Sequence, residues 1–430
     1  MSDTPTPSLL NDCFLHDRDR LRHDEALEIL RTRMSTVTGL ETLPLEACAG
    51  RILAQEIAAP RDVPLFDNAA VDGYAFRFSD HDPAGGFFRL GARVAAGHPV
   101  EGPLAPWSAA RIFTGAVMPE GADTVAMQED CRVSEEGGET FVIVPAGLRA
   151  GANRRRAGED LKAGTPLMAP GQRLRPQDLA ALASIGQAEV QVHQRLKVGL
   201  FSTGDELRRP GRALAAGGVY DSNFFLLKAL AETLPVEIHD LGILPDRRAD
   251  VEAALAAAAQ RCDLLLTTGG ASRGEEDHVG AALMSLGHRH MWQLAIKPGR
   301  PMMFGQIGTT LLLGLPGNPV AAMVCFLLYG RPVINQLAGG AFLAPQRFAV
   351  PAAFSVKGKK PDRREFYRGT LVTGPDGETR VTKFERDGSG LITGLRAADG
   401  LIEIPEEVRS VDEGSLVTFL PFSGMGLATA

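Results

Sequence analysis

The stretch that most constrains this chain runs from Leu264 to His278, LLLTTGGASRGEEDH. Its leucines, Leu264 to Leu266, read as a short buried strand, and Gly269 and Gly270 break it, because glycine turns this tightly without a steric cost. An apolar helical pattern of Val279, Ala282, Leu283 and Leu286 starts just past Asp277. A strand, a glycine turn and an acidic helix start are how an open α/β sheet builds a ligand site at the carboxyl ends of its strands. A connection that binds nothing has the same local pattern, so the neighbouring loops have to decide.

Those loops are alike. A strand at Lys197–Phe201 runs into Ser202-Thr203-Gly204-Asp205-Glu206, and a helix follows from Asp221, its expected N-cap, to Thr233. Strand Val236–Leu241, helix Asp250–Gln260, strand Asp263–Thr267 and helix Asp277–Leu286 continue the alternation, with further strands at Trp292–Ile296 and Thr310–Leu313. The last helix starts at Pro316-Gly317-Asn318-Pro319 and runs to about Leu337, with Asn318 suited to the N-cap and Pro319 to the first helical position. Alternating strands and helices with right-handed crossovers give a doubly wound, largely parallel sheet.

At 430 residues the chain exceeds what one hydrophobic core usually supports, so several domains are expected. A helix over 24–34, with Asp24 as N-cap, precedes a small β-rich region at about 61–150, where Gly137-Gly138 reads as a hairpin turn. Arg154–Arg156 read as a solvated basic patch, and a helix is expected over 177–185. Beyond Gly340 the segments 348–356, 364–372, 379–384, 401–404 and 416–419 are short and β-prone, which suggests a separate small barrel. A net charge of −7 argues against general nucleic-acid binding, which needs a basic face. The polar first twenty residues have no apolar signal core, and the apolar run from Val320 to Tyr329 is too short to span a bilayer. No membrane role is therefore expected. Five cysteines are scattered without metal-ligand spacing, and Cys262 and Cys325 fall in or beside apolar runs, so a reducing cytoplasm is the expected home.

The chemistry lies in three loops: Ser202–Glu206, Thr267–Ser272 and Leu315–Pro319. Backbone N–H groups of such loops, with the positive ends of the following helices, favour phosphate and other oxyanions. Carboxylates crowd the same rim, Asp205, Glu206, Asp221, Asp246, Glu275, Glu276 and Asp277, and helix capping alone accounts for some of them. Two like charges about 4 Å apart cost roughly 4 kcal/mol at an effective dielectric of 20, so a phosphate here calls for a bridging divalent cation. Mg²⁺ suits that role, since it takes one or two carboxylates together with phosphate oxygens and water. Lys297 and Arg300, in a proline-braced turn after a strand, supply positive charge. No GxSxG, HExxH, CxxC or Walker lysine motif occurs, which removes serine hydrolysis, zinc proteolysis and P-loop kinase chemistry.

With these motifs in order, the chain resembles the MoeA family of molybdopterin molybdenumtransferases, relatives of the gephyrin E domain. The matching segments are FDNAAVDGYA from Phe66, RIFTGA from Arg111, RAGED from Arg156, STGDEL from Ser202, TGGASRGEED from Thr268, AIKPGRP from Ala295, GLPGNP from Gly314, EFYRG from Glu365 and GSG from Gly388. The resemblance implies a homodimer of four-domain chains: an elongated connecting domain (1–60 with 151–190), a small β-rich domain (61–150), the α/β molybdopterin-binding domain (191–340) and a C-terminal β-barrel domain (341–430). It implies insertion of molybdenum from molybdate into adenylated molybdopterin, with Mg²⁺ required and AMP released. Carried over by position, Glu206, Asp246, Asp277 and Lys297 would serve catalysis, the three acids also holding the metal. Asp72, Thr114, Asp160, Ser202, Thr203, Gly204, Gly269, Gly270, Ser272, Arg300, Pro316, Gly317, Asn318 and Pro319 would bind substrate, with Arg368 and Ser389 on the molybdate. Asp72, Thr114 and Asp160 are expected to reach the partner subunit's pocket. Partners implied are a molybdopterin adenylyltransferase and cofactor-accepting molybdoenzymes or chaperones.

The chain departs from the family pattern at Gln293, often lysine, at Ala321, commonly serine or threonine, and at Arg247, often a second aspartate; Arg273 is an added cation in the glycine loop. These changes bear on oxyanion affinity and on molybdate against tungstate rather than on reaction class. Two other readings stay open at this point: a non-catalytic pterin-binding scaffold, which would not need the carboxylate set, and an α/β hydrolase of nucleotide pyrophosphates, to which a β-rich domain carrying an arginine would be superfluous.

Overall fold

A computed structural model describes residues 21–269 and 278–427, and its contacts divide the chain into two compact units. The first comprises residues up to Ala54, Pro170–Arg175 and Val190 onward. Its centre is a six-stranded sheet in the order Val236–Leu244, Leu196–Thr203, Leu264–Thr268, Thr310–Leu315, Pro301–Ile307, His288–Gln293. The first four strands are parallel and the last two each run antiparallel to the strand before. One face packs Leu196, Val198, Leu200 and Leu266 against Leu227, Val324 and Leu327 of the helices Ser222–Ala231 and Pro319–Leu337. On the opposite face, Phe201, Leu265 and Leu312 meet Val251, Leu255, Val279 and Leu283 of the helices Arg248–Ala259 and His278–Leu286. Helices on both faces of a mainly parallel sheet make the doubly wound architecture.

The helical run Pro319–Leu337 is 19 residues, longer than the apolar run Val320–Tyr329 suggests, and by length and composition alone it could cross a membrane. Within this unit 94% of its apolar window is buried, so its hydrophobicity serves the core.

After Gly340 the same unit continues as a second sheet, ordered Ile296–Lys297, Arg364–Thr373, Gly400–Ile404, Leu416–Pro421, Phe348–Pro351, with Thr379–Lys383 also paired to Arg364–Thr373. A bridge between Ala352 and Val381 joins its open edges into a small barrel, filled by Ile402, Ile404, Val417 and Phe419.

The second unit, Gln55–Ala169 with Pro176–Glu189, is built on a six-stranded sheet ordered Thr124–Met127, Gly73–Phe76, Ser108–Ile112, Gly86–Val94, Glu139–Val144, Arg132–Glu136. Gly137 and Gly138 make the two-residue hairpin turn between the last two strands, with φ of 62° and 84°, where a side chain would be strained. The helix Pro176–Ser184 belongs to this unit.

Several local expectations need correction. The first helix is His23–Arg33, with Arg22 at its N-cap donating its N–H to Glu25 Oε2 at 2.9 Å, while the Asp24 carboxylate meets Arg364 in a two-pronged ion pair at 2.9 and 2.8 Å. The helix expected from Asp250 starts two residues earlier, at Arg248. The strand expected at 292–296 is two pieces: His288–Gln293 ends the α/β sheet, and Ile296–Lys297 pairs with the barrel. Arg154 is not a freely solvated patch residue, since Arg154–Arg155 pairs with Asn68–Ala69 and its guanidinium lies 3.5 Å from Asp67.

Candidate functional site

The carboxyl ends of three parallel strands are level: Ser202 stands opposite Thr268, and Thr268 opposite Leu315. The three glycine loops therefore leave the sheet side by side, as the sequence pattern requires for a shared ligand. Gly269 turns with φ of 85°, and its N–H donates to the Leu315 carbonyl at 3.0 Å. The Asn223 side-chain amide donates to the Gly317 carbonyl at 2.7 Å and to Thr268 Oγ1 at 3.3 Å, tying two of the loops together. Asp221 caps that helix by accepting from Phe224 N–H at 3.1 Å. Asn223 is absent from the expected site residues, because an asparagine in a first helical turn reads as part of a cap.

Beside these loops opens a cavity of about 390 Å³. Gly269, Lys297, Pro316, Gly317, Asn318 and Ala321 line one side, and Tyr367, Arg368, Phe384, Asp387 and Ser389 line the other. Arg368 is buried, donating to the Leu391 carbonyl at 3.1 Å and to the Arg386 carbonyl, with its guanidinium 4.6 Å from the Phe384 ring centre. Burial lowers the pKa of that guanidinium and Asp387 opposes the shift. Lys297 Nζ lies 3.8 Å from the buried carboxylate of Glu365. Asp387 is paired with Lys383 at 2.6 Å, which holds its carboxyl below the usual range, with Lys297 and Arg368 adding to the effect. The Ser389 carbonyl accepts from Val320 N–H at 3.0 Å and so fixes its loop to the start of the Pro319–Leu337 helix. Asn318 occupies the N-cap position of that helix, but its side chain makes no capping hydrogen bond.

The carboxylates stand at the ends of adjacent parallel strands, where Thr203 pairs with Leu244. Asp205 N–H donates to Asp246 Oδ2 and Asp246 N–H to Asp205 Oδ1, both at 3.2 Å. Glu206 is exposed and folds back so that a Cβ on Gly204 would collide with its carboxylate. Among the described residues no group of three or more His, Cys, Asp or Glu is placed to hold a metal ion. Gly270, Ser272, Arg273, Glu275, Glu276 and Asp277 lie outside the described residues.

Ser202 and Gly204 are buried and Thr203 is half-buried at the strand end. Arg300 is exposed on its turn and does not line the cavity, while Pro319 opens the helix beside it. In the second unit, Asp72 Oδ1 accepts from Thr114 N–H at 2.7 Å and from Thr114 Oγ1 at 2.8 Å. Those two bonds hold the Asp72 carboxyl below its usual range. Asp160 is exposed, with its N–H donating to the Val63 carbonyl at 3.0 Å.

Comparison with known proteins accounts for nearly the whole chain. The MoeA N-terminal region (domain I and II) matches residues 21–186, a probable molybdopterin binding domain matches 199–336, and the MoeA C-terminal region (domain IV) matches 349–422. The molybdopterin molybdenumtransferase of Haemophilus influenzae is 39% identical over 401 residues, covering 93% of this chain and 98% of that protein. The chain belongs to the MoeA family. A second MoeA relative, the molybdopterin molybdenumtransferase of Bacillus subtilis, is 32% identical over 385 residues, covering 88% of this chain and 89% of its own length. The solved molybdopterin biosynthesis MoeA protein of Pyrococcus horikoshii superposes with a TM-score of 0.76 at 30% identity, over 94% of this chain and 99% of that one. In MoeA terms, the cavity draws Gly269 to Ala321 from the probable molybdopterin binding domain and Tyr367 to Ser389 from domain IV.

Proposed function

We propose that this chain inserts molybdenum from molybdate into adenylated molybdopterin and releases AMP, with Mg²⁺ required. The observation that carries the reading is the convergence on one cavity of a buried guanidinium, Arg368, from one side and an ammonium, Lys297, with glycine-loop residues from the other. Arginine offers a planar fork of donors matched to a tetrahedral oxyanion, and Ser389 adds a neutral hydroxyl. The loop N–H groups suit the phosphates of the pterin adenylate. The same reading has the protein work in the cytoplasm as a homodimer, with Asp72, Thr114 and Asp160 serving the partner subunit's pocket. It receives its substrate from a molybdopterin adenylyltransferase and passes its product to cofactor-accepting molybdoenzymes or chaperones.

Asp246, held beside Asp205 at the end of the neighbouring strand, and the exposed Glu206, folded over Gly204, would hold Mg²⁺, an ion that uses one or two carboxylates and completes its shell with phosphate oxygens and water. Asp277 is assigned to the same ion from its sequence position. When bound, the ion would supply positive charge against the phosphoanhydride oxygens. The chain's own groups do the rest: the loops orient the phosphates, and Arg368 and Lys297 hold the oxyanion against the pterin. The test is incubation with adenylated molybdopterin, Mg²⁺ and molybdate, following AMP. Molybdate-dependent AMP release is expected; binding of the pterin adenylate without any turnover would favour a scaffold instead.

A further inference from the structure

The strand that carries Arg368 also buries an acid. Glu365 is 2% exposed. Its Oε1 accepts from Arg363 Nε at 2.9 Å, its Oε2 accepts from the Tyr367 hydroxyl at 2.5 Å, and Lys297 Nζ stands 3.8 Å from Oε2. The backbone enforces the last approach, because Ile296–Lys297 pairs with this strand in parallel and sets Lys297 opposite Glu365. A carboxylate this buried is costly unless it is paired and hydrogen-bonded, and here three groups meet that need.

The separation from Lys297 is informative. At 3.8 Å the contact is an ion pair and too long for a hydrogen bond. It draws the ammonium toward the cavity wall without occupying its N–H donors. A lysine on its flexible four-carbon stem otherwise samples many positions, unlike the braced fork of Arg368. Tyr367 lines the cavity, and burial followed by the bond to Glu365 pushes its phenol well above the usual range, so it stays a donor.

We propose that Glu365 is the positioning residue for Lys297, fixing the ammonium so that its donors face the bound oxyanion, while Arg363 and Tyr367 hold Glu365 in place. This rests on the cavity being the oxyanion site. The test measures molybdate binding by calorimetry on the full chain, together with the KM values for molybdate and for adenylated molybdopterin. Glu365→Gln should weaken molybdate binding and raise its KM about tenfold, while the KM for adenylated molybdopterin moves less than twofold; Glu365→Asp should recover part of the loss. In a Lys297→Ala background the Glu365→Gln change should add almost nothing for molybdate, since the group it positions is gone. Equal losses for both substrates, or full additivity with Lys297→Ala, would overturn the assignment. A wild-type chain that binds no molybdate would instead remove the oxyanion site itself, and the positioning role with it. Should Glu365→Gln fail to fold, Tyr367→Phe keeps the carboxylate and removes one of its anchors. It should weaken molybdate binding about threefold, and unchanged binding would contradict the proposal.

Discussion

The cationic cavity and the carboxylate corner lie on one unit and are held very differently. At the cavity, Arg368 is buried and donates to two carbonyls, and Lys297 is set by register against a buried acid. At the corner, Asp205 and Asp246 each accept from the other's backbone N–H at 3.2 Å, and Glu206 is exposed. A wall of fixed donors suits an anion whose shape is constant, because the cost of ordering is met during folding. Loosely held carboxylates suit a hydrated cation that arrives with its substrate. Damage at the cavity should therefore fall on one ligand selectively, and damage at the corner on turnover and cation dependence.

The largest effect is expected at Arg368. Losing charge-assisted hydrogen bonds worth about 1.5–3 kcal/mol should raise the molybdate requirement of Arg368→Ala by roughly 10- to 100-fold. Binding of the pterin adenylate should change little. Equal losses of both would make Arg368 a structural residue and erase the contrast between the two regions.

Acid should separate the regions next. His23 lies behind the cavity wall, with Nδ1 2.7 Å from the Tyr329 hydroxyl and its ring 5.4 Å from that of Phe366. Burial lowers its pKa from 6.5 to about 3, with Arg364 and Arg347 acting in the same direction and Asp24 opposing. The native state keeps this ring neutral while the unfolded chain protonates below 6.5. The contribution to stability is thus complete above pH 6.5 and drains away as pH falls toward 3, the loss amounting to roughly 2 kcal/mol by pH 5. Urea midpoints followed from pH 7 to 4 should show a slope that is reduced by about one proton in His23→Gln. An identical slope would place the acid-sensitive group elsewhere.

Asp246→Asn should act more mildly and in the other sense. Turnover should fall about tenfold and the Mg²⁺ needed for half-maximal rate should rise, while the molybdate KM stays put, as expected for losing one of two or three cation ligands. Asp277→Asn carries the same expectation. Unchanged Mg²⁺ dependence in both variants would remove the corner from the reaction.

Much of this is legible in the sequence, because local chemistry carries it. Strands Leu196–Thr203 and Leu264–Thr268, the Asp221 cap and the Gly137-Gly138 hairpin follow from short-range rules. The strand Pro301–Ile307 is hidden by its own proline and by Gly305, which are rare within strands, and its antiparallel pairing with Thr310–Leu315 leaves no periodic trace. Asp24 reads as a helix cap only until Arg364, far along the chain, claims its carboxylate. The pairing of Lys297 with Glu365 likewise depends on a register between distant segments, so the sequence supplies both residues but not their meeting. The oxyanion assignment of Arg368 and Ser389 comes from family resemblance, since neither residue has a sequence neighbourhood that names a ligand.

The most direct test of the cationic cavity is anomalous diffraction at the molybdenum edge from crystals soaked in molybdate. The expected result is a molybdenum peak in the cavity, within hydrogen-bonding reach of Arg368, Lys297 and Ser389 through its oxygens, and its loss in Arg368→Ala crystals. A peak that forms only at the carboxylate corner or elsewhere, or one that persists unchanged in Arg368→Ala, would contradict the assignment.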